Sequence, residues 1–397
     1  MTQHADGSNQ ASLLPKAARL SFTCNGIRYQ CASDWPDDPK GLMPDLGSGA
    51  GWPWLQQLQW FEQLKKFQQK NRIQPQSEYL LLRIFQDQQL LIILPLLSPD
   101  HQRTLLALSN YYSPEFKPMQ PLTGGVCREQ LWPILISAMS ILWPNWQQLR
   151  LHPLSEATAR QIQQSCPTRV ATLVSDFGHN WRASATSNPD YWQKRQSQLV
   201  NTIRRKKKKL LQLGAELQIH RQLTPELMAA YWNIYQRSWK QAEPSTDFID
   251  WLLQFAGEQG QLRLGLLHID GVAVAFQFWL VQQQQAAIVK LSQDQAFDAL
   301  SPGTVLMAAM IDDVMMQDGV TEFDFLTGND DYKAQWMDQC LPLLQLDLFN
   351  CQHLSGRLCY LKNHLCLRLR AFLQRWRTRQ QTVAPLQLQH FVAPAND

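Results

Sequence analysis

The hydrophobic positions of the chain fall into two successive series of predicted strands and helices. In the second series, apolar stretches joined by tight turns at Asp270-Gly271 and at 282–285 predict three antiparallel strands over 261–269, 272–281 and 286–292. A helix over 303–317 follows, because apolar residues recur there at spacings of three and four and Gly319 stands at the position of a C-terminal cap. Strands over 321–326 and 342–350, separated by a short helix, complete the series.

The first series has a similar order. The Asn25-Gly26 pair predicts a turn between two strands within 20–31. The elements after it are a helix over 54–69, a hairpin of strands 78–85 and 89–96, a strand over 103–109, a helix over 128–142, a strand over 148–152, a short helix over 156–164 and a strand over 169–175. A polar linker over 176–189 and a long helix over 191–213 are predicted to lead into the second series.

The repeated order predicts an α+β fold made of two tandem units, each a mixed, mostly antiparallel sheet flanked by helices. Four segments are expected. They are an N-terminal extension over 1–45, a first unit over 46–176, a second unit over 177–350, and a basic amphipathic helix with its tail over 351–397. A chain of 397 residues is long enough for two such cores.

Composition restricts the possible partners and compartments. The hydrophobic fraction of 45% and charged fraction of 18% fit a globular protein, and a net charge of only +4 means that partners must be inferred from local patches. The eight cysteines form no CxxC motif, so no metal site is expected. The longest apolar run, 90–97, is too short to span a bilayer, and the polar N-terminus resembles no signal peptide. A cytoplasmic location is therefore expected.

The helix that starts after Ser301 is a candidate anion site. Backbone N–H groups around Ser301, Gly303 and Thr304 would face a phosphate at the positive end of the helix. The alternative is that Ser301 and Pro302 only cap and start the helix. The two interpretations have similar weight.

Three residues near this helix are candidates for proton transfer and charge stabilisation. Asp324 would accept a proton, Tyr332 would donate one, and Lys333 would neutralise a phosphate or an oxyanion. Structural roles remain open for all three: Asp324 would fix the following turn or pair with Lys333, and Tyr332 and Lys333 would lie on the surface of a short helix.

Two basic stretches indicate an anionic partner. Six consecutive basic residues, 204–209, favour a phosphate-bearing molecule such as coenzyme A, tRNA, a sugar carrier or a lipid, although a solvated helix face would explain them equally well. The helix over 354–379 has a stripe of leucines with arginines on its other faces. It would either lie on an anionic membrane or pack on the second unit, and packing is preferred.

The second half resembles the BioF2-like domain of the GNAT acetyltransferase superfamily, which is also met in CelD-type exopolysaccharide proteins and is related to the FemAB transferases. The resemblance covers about residues 190–340. It rests on the order of several short pieces: the basic helix 204–210, Arg237-Ser238-Trp239, the strands around Asp270-Gly271, Ser301 to Thr304, Phe323 to Gly328, and Tyr332-Lys333 with Trp336.

The resemblance implies transfer of an acyl group, acetyl in the first instance, from acyl-coenzyme A to an amine on a small molecule or carrier. In that reaction Asp324 would take the proton of the amine and Tyr332 would protonate the leaving thiolate. The resemblance also implies donor contacts at Ser301, Gly303, Thr304, Arg204 and Arg205, and FemAB-type enzymes favour a functional lysine at Lys333. Acceptor contacts are expected at Arg237, Trp239 and Trp336.

Three functions follow from these observations. The first is an N-acyltransferase of exopolysaccharide or cell-envelope synthesis that uses acetyl-CoA and is cytoplasmic, with possible peripheral contact at the inner face of the membrane through residues 354–379. The second is a FemAB-like transferase that takes an aminoacyl group from tRNA. The third is a non-catalytic scaffold with a GNAT fold. DNA is not expected as a partner, and tRNA is expected only for the second function.

Overall fold

The computed structural model describes residues 20–36, 58–71, 76–113, 115–121 and 125–382. The predicted tail over 1–15, most of the stretch over 34–52, and the start of the helix predicted over 54–69 lie outside these residues.

The first half of the chain contains seven strands and three helices among its described residues. They are β1 (Leu20–Cys24), β2 (Ile27–Ala32), α1 (Leu58–Lys70), β3 (Glu78–Gln86), β4 (Gln89–Ser98), β5 (Thr104–Ala107), α2 (Arg128–Leu142), β6 (Gln148–Ser155), α3 (Glu156–Ser165) and β7 (Val170–Ser184).

The second half continues with seven helices and six strands within the described residues. They are α4 (Asn188–Gln193), α5 (Ser197–Gln212), β8 (Glu216–His220), α6 (Pro225–Gln236), α7 (Thr246–Glu258), β9 (Leu262–Ile269), β10 (Val272–Gln282), β11 (Gln285–Gln293), α8 (Pro302–Gln317), β12 (Glu322–Thr327), α9 (Asp331–Trp336), β13 (Gln339–Asn350) and α10 (Leu354–Thr382), with a short 3-10 helix at Gln295–Leu300 before α8.

All thirteen strands belong to one sheet, in the order β1-β2-β3-β4-β5-β6-β13-β7-β12-β11-β10-β9-β8. The series β3-β4-β5-α2-β6-α3-β7 repeats as β9-β10-β11-α8-β12-α9-β13. Each copy has one parallel pair, β5 with β6 and β11 with β12, and in each copy a helix connects the paired strands. The predicted tandem architecture is confirmed by this repetition.

The last strands of the two copies are exchanged. β7 ends the first copy but pairs with β12 of the second, and β13 ends the second copy but pairs with β6 of the first. β7 and β13 also pair with each other over twelve positions, from Gln339–Arg182 to Asn350–Val170. The predicted domain boundary at residues 176 and 177 falls inside β7.

The second-half sheet is buried on both faces. Along β10, Phe276, Phe278 and Leu280 belong to the core cluster beneath α6 and α7, while Ala275 and Trp279 belong to the cluster beneath α5 and α8. This burial on both sides is why β9 and β10 read as nearly continuous apolar runs. α8 is itself apolar on most of its circumference, as expected for a helix enclosed by the fold.

Two predicted elements differ from the structure. The linker predicted over 176–189 is mostly strand, because the polar second part of β7 is hydrogen-bonded on both sides, to β12 and β13. The helix predicted over 191–213 is two helices, α4 and α5. Between them Arg195 is buried, with its guanidinium 4.5 Å from the centre of the Tyr191 ring and in an ion pair with Asp338.

The C-terminal helix α10 packs on β13 of the second unit, as the preferred interpretation predicted, and the ring of Tyr360 lies against that of Phe349. Its leucine stripe does not pack on the second unit, since Leu354, Leu358, Leu361, Leu365 and Leu369 are all more than half exposed. The sequence identified the stripe correctly but not its direction. None of the helices that the structure describes has the length and apolar character required to cross a bilayer.

Candidate active site

A cavity of about 590 Å³ opens where β11 and β12 separate. The two parallel strands pair only from Gln285 to Ala287 and from Glu322 to Asp324. Beyond these residues they diverge, and residues 288–293 of β11 and 325–327 of β12 line the gap. The start of α8, the residues around α9 and a loop of the first half close the cavity. Both halves of the chain therefore contribute to its walls.

A bulge at Leu326 produces the divergence of β12. Leu326 has a φ of +56°, a conformation that is unfavourable for a residue with a branched side chain. The backbone N–H of Leu326 donates to a carboxylate oxygen of Asp324 at 2.8 Å. On the cavity side, the Nζ of Lys333 donates to the carbonyl oxygens of Phe325 and Thr327, each at 3.0 Å. The two predicted catalytic residues hold the bulge from either side.

Lys333 lies in the cavity wall, but its hydrogen-bonding capacity is used by the protein. Its third contact is the carbonyl of Leu326 at 3.4 Å, so three acceptors surround an ammonium group that has three N–H donors. Burial lowers its pKa, and the neighbouring carboxylates of Asp330 and Asp324 oppose that shift. Its predicted contact with a phosphate or an oxyanion would require one of these bonds to break.

Asp324 does not line the cavity. Its carboxylate is 2.9 Å from the Nε of Arg182 and accepts from the amide of Asn180 at 3.2 Å. Both partners belong to β7, the exchanged strand. The geometry supports the structural alternative for Asp324 and does not support its role as the base.

The start of α8 lines the cavity, but its backbone donors are already bonded. The N–H of Gly303 donates to the side-chain oxygen of Gln293 at 2.9 Å, and Pro302 has no N–H. The N–H groups of Thr304 and Val305 both point to the carbonyl of Ser301. The predicted phosphate contact with free amides is therefore not supported, because a side chain of β11 and the first helical turn satisfy them.

Lys240 is a cavity residue that the sequence did not reveal. α6 ends at Gln236, and the following turn brings the lysine to the cavity wall. Burial, followed by the charge of Lys290, lowers the pKa of Lys240 to about 8. Lys290 is paired with Glu243, whereas Lys240 forms no salt bridge with any residue that the structure describes.

A buried network attaches the first half of the chain to this cavity. The hydroxyl of Tyr112 lies 3.0 Å from both carboxylate oxygens of Glu243, and Glu243 also pairs with Lys290. Burial, reinforced by the charge of Glu243, raises the pKa of Tyr112, so the hydroxyl stays a donor. The neighbouring Tyr111 donates to the carbonyl of Thr327 at 3.2 Å. The first half thus contacts the bulged strand itself.

Residues 197–334 match the model of the acetyltransferase (GNAT) domain family. This segment is a GNAT acyltransferase domain. The predictions of a GNAT-superfamily domain and of an acyltransferase are confirmed. The matched segment begins at α5 and ends in α9, so it contains every cavity residue named above except Tyr111 and Tyr112. No curated protein matches the chain in sequence.

Several solved structures are similar to this chain at low sequence identity. FemX has a TM-score of 0.53 and 10% identity, with 75% of this chain and 92% of FemX covered. L-PGS from Bacillus licheniformis has a TM-score of 0.44 and 8% identity, covering 72% of this chain and 90% of that chain. A tandem GNAT protein from the clavulanic acid biosynthesis pathway has a TM-score of 0.39 and 12% identity, covering 68% of this chain and 83% of that one. The similarity to FemX extends the fold assignment well beyond the GNAT domain.

The structure brings some of the other predicted residues to the GNAT cavity and leaves others away from it. Tyr332 and Trp239 line the cavity. Arg237 does not, since it pairs with Asp294 at 2.8 Å. Trp336 is fully buried beneath Tyr332 and has no exposed surface for an acceptor. The geometry therefore does not support acceptor contacts at Arg237 and Trp336.

The predicted donor contacts Arg204 and Arg205 lie on α5, outside the main cavity. Both are exposed, and Arg204 lines a smaller groove of about 250 Å³ between α5 and α8. The two sites are neighbours, because the Nζ of Lys206 donates to the carbonyl of Ala299, two residues before Ser301.

Proposed function

We propose that the GNAT domain transfers an acyl group from acyl-coenzyme A to a primary amine in the cavity between β11 and β12. The observation that carries this proposal is the separation of the two strands beside a lysine whose pKa is lowered to about 8. The open edge of β11 can pair with the amide groups of an extended donor arm, as a sheet edge pairs with a peptide. Acetyl is the simplest acyl group, and an amino group on a sugar nucleotide or polysaccharide precursor is the acceptor that we expect.

Lys240 is the base in this proposal. A base works best when its pKa lies near the working pH, and a lysine with its usual pKa would be almost entirely protonated there. The acceptor nitrogen attacks the thioester carbon, a C–N bond forms, and the carbonyl electron pair moves to oxygen. Lys240 then takes the proton that the nitrogen loses. This role replaces the one predicted for Asp324.

Collapse of the intermediate restores the carbonyl and breaks the C–S bond, leaving the electron pair on sulfur. The proton held by Lys240 passes to this thiolate, so the products are an amide and a free thiol. Burial raises the pKa of Tyr332, so its hydroxyl remains protonated and can donate a hydrogen bond to the sulfur. Tyr332 therefore stabilises the leaving group in this scheme, and Lys240 supplies the proton.

Side chains of α5 would hold the donor phosphates in place of the α8 amides. Five basic residues of α5 are exposed: Arg204, Arg205, Lys207, Lys208 and Lys209. The contact of Lys206 with Ala299 places this cluster beside the segment that leads into the cavity wall at Ser301. A donor with its phosphates on α5 and its acyl group in the cavity would use both features.

Calorimetric titration with acetyl-CoA tests the donor. We expect saturable binding that weakens about tenfold when Lys207, Lys208 and Lys209 are replaced by alanine, because each exposed contact with a phosphate contributes only part of the binding free energy. Lys194→Ala is the matched control, since Lys194 is an exposed lysine of the same region that pairs with Asp190. Absence of binding heat for the unmodified protein would contradict acyl-CoA as the donor.

A second donor, an aminoacyl-tRNA, is supported by two observations. The α8 amides that would grip a pyrophosphate are already bonded, and the fold similarity to FemX covers most of both chains. The resemblance to FemAB transferases connects that fold to aminoacyl transfer. Filter binding of charged tRNA distinguishes the donors, because affinity should fall steeply with salt if α5 contacts several phosphates. Weak binding that does not respond to salt would remove this candidate.

A further inference from the structure

The outward face of α10 is apolar over five turns. The leucine stripe is defined here as Leu354, Leu358, Leu361, Leu365, Leu369 and Phe372, and each of these side chains is between 52% and 71% exposed. Residues at spacings of three and four lie on one side of a helix, so the six form one continuous surface. Exposed apolar side chains that occur singly need no explanation, but a continuous row of six does.

The opposite face of α10 fixes this orientation. Gly356 is buried against the backbone of Asn350, and the ring of Tyr360 lies 5.6 Å from that of Phe349 in β13. Cys359 contacts the side-chain oxygen of Gln148 in β6 at 3.7 Å. Turning the leucine stripe toward the sheet would break these contacts. The helix therefore packs through its less apolar face and leaves its more apolar face outside.

The charge on α10 has one sign. Residues 354–382 contain seven basic residues and no aspartate or glutamate. With about 100° between successive residues of a helix, Arg357 and Arg368 flank one side of the leucine stripe and Lys362 flanks the other. An apolar stripe bordered by cations matches a surface that is apolar in its interior and anionic at its boundary.

We propose that α10 is a docking surface for a bilayer that contains anionic phospholipid. The helix would lie in the plane of the interface, with the leucine stripe inserted to a depth of about 5–10 Å and the basic side chains among the phosphates. A second copy of the chain fits less well, because facing α10 helices would bring seven positive charges against seven. The proposal does not depend on which reaction the cavity carries out.

Vesicle co-sedimentation of the full chain tests the proposal. One set of vesicles is phosphatidylcholine alone, and the other also contains phosphatidylglycerol. We expect binding to the second set only. The combined variant Leu358→Gln, Leu361→Gln, Leu365→Gln should bind these vesicles about a hundredfold more weakly, because three leucine side chains no longer move from water into the bilayer. These side chains are exposed, so an unchanged circular dichroism spectrum and melting temperature verify that the variant is folded.

Three controls determine which surface binds. The variant Leu211→Gln, Leu217→Gln changes exposed leucines outside α10 and should bind as the parent does. The variant Lys207→Ala, Lys208→Ala, Lys209→Ala removes charge from α5 and should also retain binding. The variant Lys362→Gln, Arg368→Gln should weaken binding to anionic vesicles by about tenfold or more.

Several results would overturn the proposal. Equal binding to neutral and anionic vesicles would show that charge has no part in it. Loss of binding in the α5 variant with the α10 leucines intact would move the surface to α5. Sedimentation velocity without vesicles is the last test. A dimer that the leucine variant abolishes would show that a second copy covers the stripe.

Discussion

The ammonium group of Lys333 lies 3.0 Å from the carbonyl oxygen of Thr327, inside the bulge that separates β12 from β11. A lysine from the following helix thus holds open the strand that precedes it. The bulge also depends on Asp324, whose carboxylate accepts the N–H of Leu326. The cavity exists because these two side chains stabilise a backbone conformation that the strand would otherwise avoid.

Lys333→Met should therefore lower the stability of the fold as well as the activity. Three carbonyl groups would lose their donor, and we expect the free energy of unfolding to fall by about 2–3 kcal/mol. Urea denaturation measures this change. Lys194→Met, at an exposed lysine, should leave stability unchanged. If Lys333→Met lost activity with full stability, the lysine would instead act directly on the reactants.

The pH dependence of the reaction should follow Lys240. Only the neutral amine can accept a proton, so kcat/KM should rise as pH increases through about 8 and level off above it. Lys240→Met should lower kcat/KM by about 10²–10⁴ and remove this limb of the profile. Two acceptors with different amine pKa values provide the control. If the pH at which kcat/KM levels off shifts with the amine pKa of the acceptor, the limb reports the acceptor, and its assignment to Lys240 is contradicted.

Glu243 should contribute more to the stability of the fold than its hydrogen bond to Tyr112 accounts for. Glu243→Gln leaves the ammonium group of Lys290, whose side chain is only 12% exposed, without its counter-charge, and we expect a loss of about 3 kcal/mol in the free energy of unfolding. Tyr112→Phe removes only the hydroxyl and should lower it by about 1 kcal/mol. Chemical denaturation of both variants gives the comparison. Equal losses would mean that the ion pair adds little.

Gly356 should be required where α10 crosses β13. A methyl group on its Cα would overlap the carbonyl oxygen of Asn350, which is backbone and cannot rotate away. Gly356→Ala should cost about 3 kcal/mol or release the first turns of α10, which hydrogen exchange would detect. Gly257→Ala is the matched control in α7. Its added methyl group meets only ordinary contacts of 3.5 Å and should be neutral or stabilising by up to about 1 kcal/mol.

Local sequence signals predicted most of the elements but little of the chemistry. α2 and the Asn25-Gly26 turn were predictable because a helical period and a turn pair act within a few residues. The cluster of Tyr112, Glu243 and Lys290 was not, because it joins residues 131 and 47 positions apart. Nor did any local pattern indicate Arg182 as the partner of Asp324.

The same limit applies to Lys240 and to α10. A lysine at the end of a helix has an ordinary role in any sequence, and only the tertiary fold buries Lys240 beside Lys290. The leucine stripe gave the amphipathic period of α10, but a period cannot say which side meets the sheet. That choice was made by Gly356, whose missing side chain permits the close approach to Asn350.

The exchange of β7 and β13 has a consequence for how the protein can be divided. A chain cut between the halves would give a first piece that lacks the neighbour of β6 and a second piece that lacks the neighbour of β12. Each piece would expose a row of unpaired backbone groups and would be prone to aggregate. The halves should accordingly melt in a single transition, and separately expressed fragments should regain solubility only when they are refolded together.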